Sequence, residues 1–131
     1  MTPAFRADPP SHVAQTPFAS AQDAWFWTAA CLRARQDPSA AHPGAGPCRP
    51  DDVVKCLDSL YRQRRIELLH ARILRIWGWR GVAPNPARPR ERCDSVLWRE
   101  ATERLEWPLR RRGIVAGGGW AAALVNPDLR E

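Results

Sequence analysis

Arginine is the residue type with the most chemistry to offer in this sequence. Its planar guanidinium can grip a phosphate or a guanine edge through two parallel hydrogen bonds, which lysine cannot do. Of the twenty Lys and Arg residues, only Lys55 is a lysine. Two groups stand out. Residues 49–81 hold Arg49, Lys55, Arg62, Arg64, Arg65, Arg72, Arg75 and Arg80 against Asp51, Asp52, Asp58 and Glu67, a balance of +4 in a chain of net charge +6. Further on, Arg110, Arg111 and Arg112 follow one another. On a helix turning about 100° per residue, Arg72 and Arg75 share the outward side. That is where a recognition helix would reach into the major groove of duplex DNA. Arg62, Arg64, Arg65 and the 110–112 run are then placed to hold phosphates, contacts that supply affinity without sequence information. Both groups also have a plainer reading. A solvated arginine face on an antiparallel helix pair accounts for the first, and cations favoured at a helix C-terminus account for the second. The small residue and the turn glycine usual in a helix-turn-helix unit are absent from 49–81.

The seven tryptophans are the second resource. Trp77 and Trp98 fall on apolar stripes and are core candidates. Trp25 and Trp27 are two residues apart, so they cannot face the same core. Trp79 and Trp107 fall off the stripes of their own helices. An exposed Trp beside Arg can stack on a base or anchor a protein interface. Trp25, Trp27 and Trp79 are therefore the candidates for a partner interface. A homodimer would cover that surface and would suit a two-fold DNA site.

Other chemistry finds little support. His42, Cys48, Cys56 and His70 lack the CxxC or HxxxH spacing of a zinc site, so no metal is predicted. His70 lies among Ile and Leu and is expected to be a core histidine with a satisfied hydrogen bond. Cys56 borders an apolar stripe, where a small buried thiol is common. There is no GxSxG, P-loop, HExxH or paired-carboxylate arrangement, so no catalytic residue or cofactor is nominated.

The elements that must position these side chains are helices. The chain has 131 residues, 44% hydrophobic and 26% charged, enough for one small domain. Its thirteen Pro and eight Gly concentrate between periodic stretches. They predict a disordered arm over 1–17, a linker over 37–50, a loop over 82–93 and a flexible tail over 116–131. The folded domain is expected to span 18–115, with helices at about 20–35, 51–63, 66–77 and 95–108. Ser20 is the expected N-cap of the first. In the second, Pro50 suits the first turn, and Val53, Val54, Cys56, Leu57, Leu60 and Tyr61 form one apolar arc. Asp51–Lys55 and Asp58–Arg62 are spaced as supporting pairs. Arg64 would break that arc, so the chain should turn near Arg64-Arg65. In the third, Ile66, Leu69, His70, Ile73, Leu74, Ile76 and Trp77 should face inward, and Gly78 and Gly81 are candidate caps. Asp94 or Ser95 should open the fourth and Pro108 should close it. Leu97, Trp98, Ala101, Leu105 and Leu109 form its stripe, and Glu100–Arg104 is a supporting pair. A short extended piece is expected at 113–116.

No stretch approaches the roughly 20 apolar residues of a membrane span, and the N-terminal residues lack a signal-peptide core. The expectation is a cytoplasmic protein with its four Cys as thiols. The surplus of Arg, Ala, Pro and Gly suggests a GC-rich bacterial gene. The sequence thus predicts an all-α bundle of three to four helices containing a helix-turn-helix-like pair. It points to a small, basic, non-enzymatic DNA-binding or regulatory protein, with a protein-interaction module or adaptor as the alternative.

Overall fold

Most helix ends lie where local side-chain chemistry puts them. A computed structural model describes residues 16–117. Within them run α1 (Ala21–Gln36), α2 (Pro50–Arg62), α3 (Leu68–Arg80), a single 3-10 turn (Pro89–Glu91) and α4 (Arg92–Arg111). The fold is all-α, a small bundle of four helices. The arm expected over 1–17 and the tail expected over 116–131 lie outside the described residues, except for Thr16, Pro17, Ala116 and Gly117.

Ser20 caps α1 as expected, its hydroxyl accepting the Asp23 N–H at 3.1 Å. Pro50 begins α2, and the Asp52 carboxylate accepts the Arg49 N–H at 3.0 Å. The Asp58–Arg62 pair forms at 3.0 Å. Asp51 turns away from Lys55 to meet Arg35 of α1 at 3.2 Å. α2 stops where predicted, because Arg64 takes a left-handed backbone conformation (φ 61°) that no helix can continue through.

The turn is longer than the Arg64-Arg65 step foreseen. Ile66, assigned to α3 from its periodicity, instead sits in the turn with its side chain buried. The chain restarts at Leu68 because His70 Nδ1 accepts the Glu67 N–H at 3.0 Å, which makes Glu67 the N-cap. Gly81 ends α3 in the left-handed conformation (φ 75°). Gly78, the other candidate cap, is inside the helix and buried.

α4 departs from expectation at both ends. It starts at Arg92, and Asp94 is not its cap; the Asp94 carboxylate instead accepts the Trp77 indole N–H at 3.0 Å. Pro108 does not end it. A proline removes one intrahelical donor, but the fully buried Leu109 keeps the last turn docked, and the helix runs on to Arg111. The Glu100–Arg104 pair is not made. Glu100 takes His70, and Arg104 Nη1 reaches the Arg65 carbonyl at 3.3 Å.

α1 packs through Ala21, Ala24 and Ala29, small residues that let neighbouring helices approach closely, with Trp25 between them. α1 and α4 contact each other, and each packs on both α2 and α3. The main packing partners of α2 and α3 are thus α1 and α4, not one another. The order helix, turn, helix is present, but the two helices flank the α1–α4 contact. Val53, Cys56, Leu60, Ile73, Leu74, Trp77, Trp98, Leu105 and Leu109 fill the core. The extended piece expected at 113–116 is one bridge between Phe18 and Val115. The Phe18 N–H donates to the Ile114 carbonyl at 2.9 Å, and the Ala116 N–H to the Phe18 carbonyl at 2.8 Å.

Two residues expected inside α3 are outside. Leu69 is 47% exposed and Ile76 42% exposed. The buried arc of α3 centres on His70, Ile73, Leu74 and Trp77. Leu69 and Ile76 lie roughly 100° from its centre, beyond the cover given by α1 and α4.

Candidate nucleic-acid interface

α2 ends and α4 ends on the same side of the bundle, and their last turns form a cleft. Cys56, Ser59, Leu60 and Gln63 line it from α2, at the spacing that places residues on one helical face. Arg104, Trp107, Pro108, Arg111 and Arg112 line it from α4 and its cap, and Arg65 enters from the turn. The cleft measures about 320 Å³. Four of its lining residues are arginines and none is an acid. Its floor is the apolar Leu60 and Cys56. Gln63 Nε2 donates to Ser59 Oγ at 3.0 Å, which leaves the Gln63 carbonyl oxygen and the Ser59 hydroxyl proton as further polar groups on the wall.

The local causes are visible in the sequence. Arg104, Trp107 and Arg111 follow at intervals of three and four, so α4 presents them together. Helix C-termini carry the negative end of the dipole, which favours cations in their last turns. The arginines thus collect where two such termini meet. Arg112 is close enough to Cys56 to hold its thiol down, though burial pushes that thiol up by more.

The residues nominated from sequence separate into three groups. Arg65, Arg111 and Arg112 come together in the cleft, while Arg64 beside them is exposed but lines no part of it. Arg62 and Arg110 are held by acids of their own helices, Asp58 at 3.0 Å and Glu106 at 3.3 Å. Arg72 and Arg75 are exposed on α3, apart from the cleft. Around them lie Leu68, 61% exposed, and the exposed Leu69 and Ile76. The two arginines are thus interleaved with uncovered aliphatic side chains on that face. Arg104 and Trp107 were not nominated. The signal that finds them is their shared helical face with Arg111.

The tryptophan anchors need correction. Trp25 is only 5% exposed, and its indole N–H donates to the Leu74 carbonyl at 2.7 Å. It is a core residue and no surface anchor, because the outward side of α1 at that position is covered by α3. Trp27 is partly buried and secures the 37–50 linker, donating to the Gly44 carbonyl at 2.9 Å and packing on Phe18 with ring centroids 5.4 Å apart. Trp79 is half-buried beside Phe26, Ala30, Arg33 and Arg80, and its carbonyl accepts from Arg33 at 3.0 Å. Trp107, 48% exposed, is the tryptophan that the surface presents most openly among the described residues.

Burial pushes the Cys48 thiol up to about 11, with Asp52 and the neighbouring Cys56 and Cys31 adding to the rise. Burial also raises Cys31 against the opposing charge of Arg35. All four cysteines are free thiols. Among the described residues no group of three or more His, Cys, Asp or Glu could hold a metal ion. His70 is buried with both ring nitrogens engaged, at Glu67 and at Glu100, each 3.0 Å away. The hydrogen bond from His70 holds the Glu100 carboxyl below its ordinary range. No helix among the described residues is long and apolar enough to cross a membrane.

No family model, no curated protein and no solved structure matches the chain.

Proposed function

We propose that this is a non-enzymatic, cytoplasmic nucleic-acid-binding protein whose principal contact is the arginine cleft at the end of α2 and α4. The observation that carries the reading is the convergence of Arg65, Arg104, Arg111 and Arg112 on one concave surface without an acid. Like charges gathered in this way repel one another, and an anion relieves that repulsion. Guanidinium groups match phosphate oxygens in pairs, and phosphate contacts supply most of the affinity of a non-specific nucleic-acid binder. A regulatory role would follow from occupancy of nucleic acid. The test is a titration of labelled duplex and single-stranded DNA across a salt series. Binding that strengthens steeply as salt falls, and that weakens in an Arg111→Ala, Arg112→Ala variant, supports the reading. Affinity no better than millimolar at low salt for both forms overturns it.

A second reading is favoured by the α3 surface. Leu68, Leu69 and Ile76 are exposed together with Arg72 and Arg75, and apolar side chains interleaved with arginine are typical of protein interfaces. In that reading the chain is an adaptor, and α3 rather than the cleft carries the contact. It predicts no nucleic-acid binding at physiological salt and a defined complex abolished by Leu69→Ser with Ile76→Ser.

A further inference from the structure

Charge alone makes the cleft a phosphate site. Trp107 adds something charge does not explain. Trp107 is 48% exposed, flanked three residues before by Arg104 and four after by Arg111. An indole at that exposure carries a hydration cost that a basic surface does not need, since any polar residue would serve a duplex backbone equally well. The wall opposite carries Gln63 and Ser59, side chains with both donors and acceptors. The cleft is about 320 Å³, the lower end of the range for sites that enclose a small ligand. A duplex presents its phosphates on a convex surface with the bases stacked inside, so neither Trp107 nor the pocket floor would meet a base. A single strand presents phosphate and an unstacked base together. Aromatic rings beside a basic track are how such strands are held.

We propose that the cleft takes single-stranded nucleic acid. One base stacks on the Trp107 indole, and the adjoining phosphates are gripped by Arg65, Arg104, Arg111 and Arg112. Gln63 and Ser59 meet the polar edge of that base or its sugar. This rests on the reading of the cleft as a nucleic-acid interface and adds the form of the strand and the residue that selects it. The Arg104 guanidinium is already oriented, with Nη1 on the Arg65 carbonyl at 3.3 Å. That bond ties the turn to α4, so one of the four cations is set against the backbone that carries another before a strand arrives. Trp107 differs from Trp25 and Trp27, whose indole N–H groups are spent inside the protein.

The experiment uses the full chain with three probes at one salt concentration: oligothymidylate, a duplex of the same length, and inorganic polyphosphate. Binding is read by anisotropy, and tryptophan fluorescence is recorded in parallel. The expected result is tighter binding of the single strand than of the duplex, with fluorescence quenching that disappears in Trp107→Ala. Because stacking on an aromatic side chain contributes about 1–3 kcal/mol per base, Trp107→Ala should weaken the single strand roughly 5- to 150-fold. The same variant should leave polyphosphate nearly unchanged, and Trp107→Phe should recover much of the loss. Trp107 is exposed, so both variants should fold, and circular dichroism checks that they do. If Trp107→Ala weakens all three probes alike, or none, stacking is wrong. If the duplex binds as tightly as the single strand, the strand selection fails while the phosphate reading survives. If no probe binds at low salt, the phosphate reading fails as well.

Discussion

The indole N–H of Trp25 donates to the Leu74 carbonyl at 2.7 Å, and Gly78 is the residue that makes room for it. A Cβ at Gly78 would lie 2.6 Å from Trp25 Nε1 and 3.1 Å from the Ala29 methyl. Trp25 cannot swing aside without losing its hydrogen bond. This is why α3 carries a glycine one turn before its real cap at Gly81, and why α1 and α3 sit so close.

Gly78→Ala is therefore expected to destabilise the protein. Helix propensity alone would stabilise it by about 1 kcal/mol. Overpacking typically costs about 1–3 kcal/mol, so set against that gain the net loss should reach about 2 kcal/mol. Chemical denaturation followed by circular dichroism gives the sign directly. A stabilised variant would mean that Trp25 yields easily and that the α1–α3 contact is looser than described.

Ile73 and Ile76 are one turn apart on α3, yet only the first belongs to the core. Ile73→Ala should cost about 2–5 kcal/mol, as deletion of a buried branched side chain does. Ile76→Ala should cost well under 1 kcal/mol, as an exposed substitution does. Equal losses would put Ile76 inside, where its periodicity alone had suggested.

Those two isoleucines mark where sequence stops being sufficient. The buried Val53, Cys56 and Leu60 of α2, the Ser20 cap, the stop at Arg64 and the left-handed Gly81 are local effects legible in residue order, although Tyr61 of the same apolar arc is 47% exposed. The burial edges of α3 depend on how far α1 and α4 wrap around it, which no periodicity contains. Asp94 looked like a cap because aspartate usually is one; an indole on another helix claimed it. Pro108 looks like a stop from its missing N–H alone, yet Leu109 beyond it continues the apolar stripe and is fully buried, which holds the last turn in place. For the site, arginine content pointed to phosphate but could not say which guanidiniums converge. Arg104 is spaced as a partner for Glu100, yet its partner is a backbone carbonyl in a distant turn.

Acid should weaken the fold partly through Glu100. The His70 hydrogen bond lowers the Glu100 carboxyl below its ordinary value of 4.5. A carboxyl whose pKa falls on folding contributes stability that is fully present above the ordinary value. That contribution is lost as pH falls through the lowered folded value. Glu100→Gln cannot titrate. Wild-type stability should accordingly fall further than that of Glu100→Gln between neutral pH and the region below 4.5, measured as urea midpoints along a pH series. Parallel curves would remove Glu100 from the acid response.

Thiol chemistry tests the packing around α2. Cys93 is exposed, whereas Cys31 and Cys56 are buried and the Cys48 thiol is raised to about 11. The thiolate is the reactive form, so an aromatic disulfide reagent at neutral pH should modify one cysteine quickly. Cys93→Ser should abolish that fast phase, and the other three should react only as the protein unfolds. Two fast thiols in the wild type would show that the segment before α2 opens readily.

The two arginine faces can be told apart by what their loss does to salt dependence. Arg111 and Arg112 lie in the cleft, and Arg72 and Arg75 lie on α3 among exposed aliphatic residues. Each phosphate contact on a single strand contributes about 0.7 to the slope of log K against log salt. Replacing Arg111 and Arg112 by Ala should flatten that slope by about 1.4 if both contact phosphate, and should weaken all sequences alike. Replacing Arg72 and Arg75 should leave the slope nearly unchanged. It should instead weaken any protein complex that the Leu69 and Ile76 surface supports. A groove-reading α3 demands the reverse: a large, sequence-dependent loss on removing Arg72 and Arg75. Because all four side chains are at the surface, neither double variant should unfold the bundle. The comparison therefore decides which end of the molecule meets the nucleic acid, and a loss confined to the α3 pair would move the interface from the cleft to the helix.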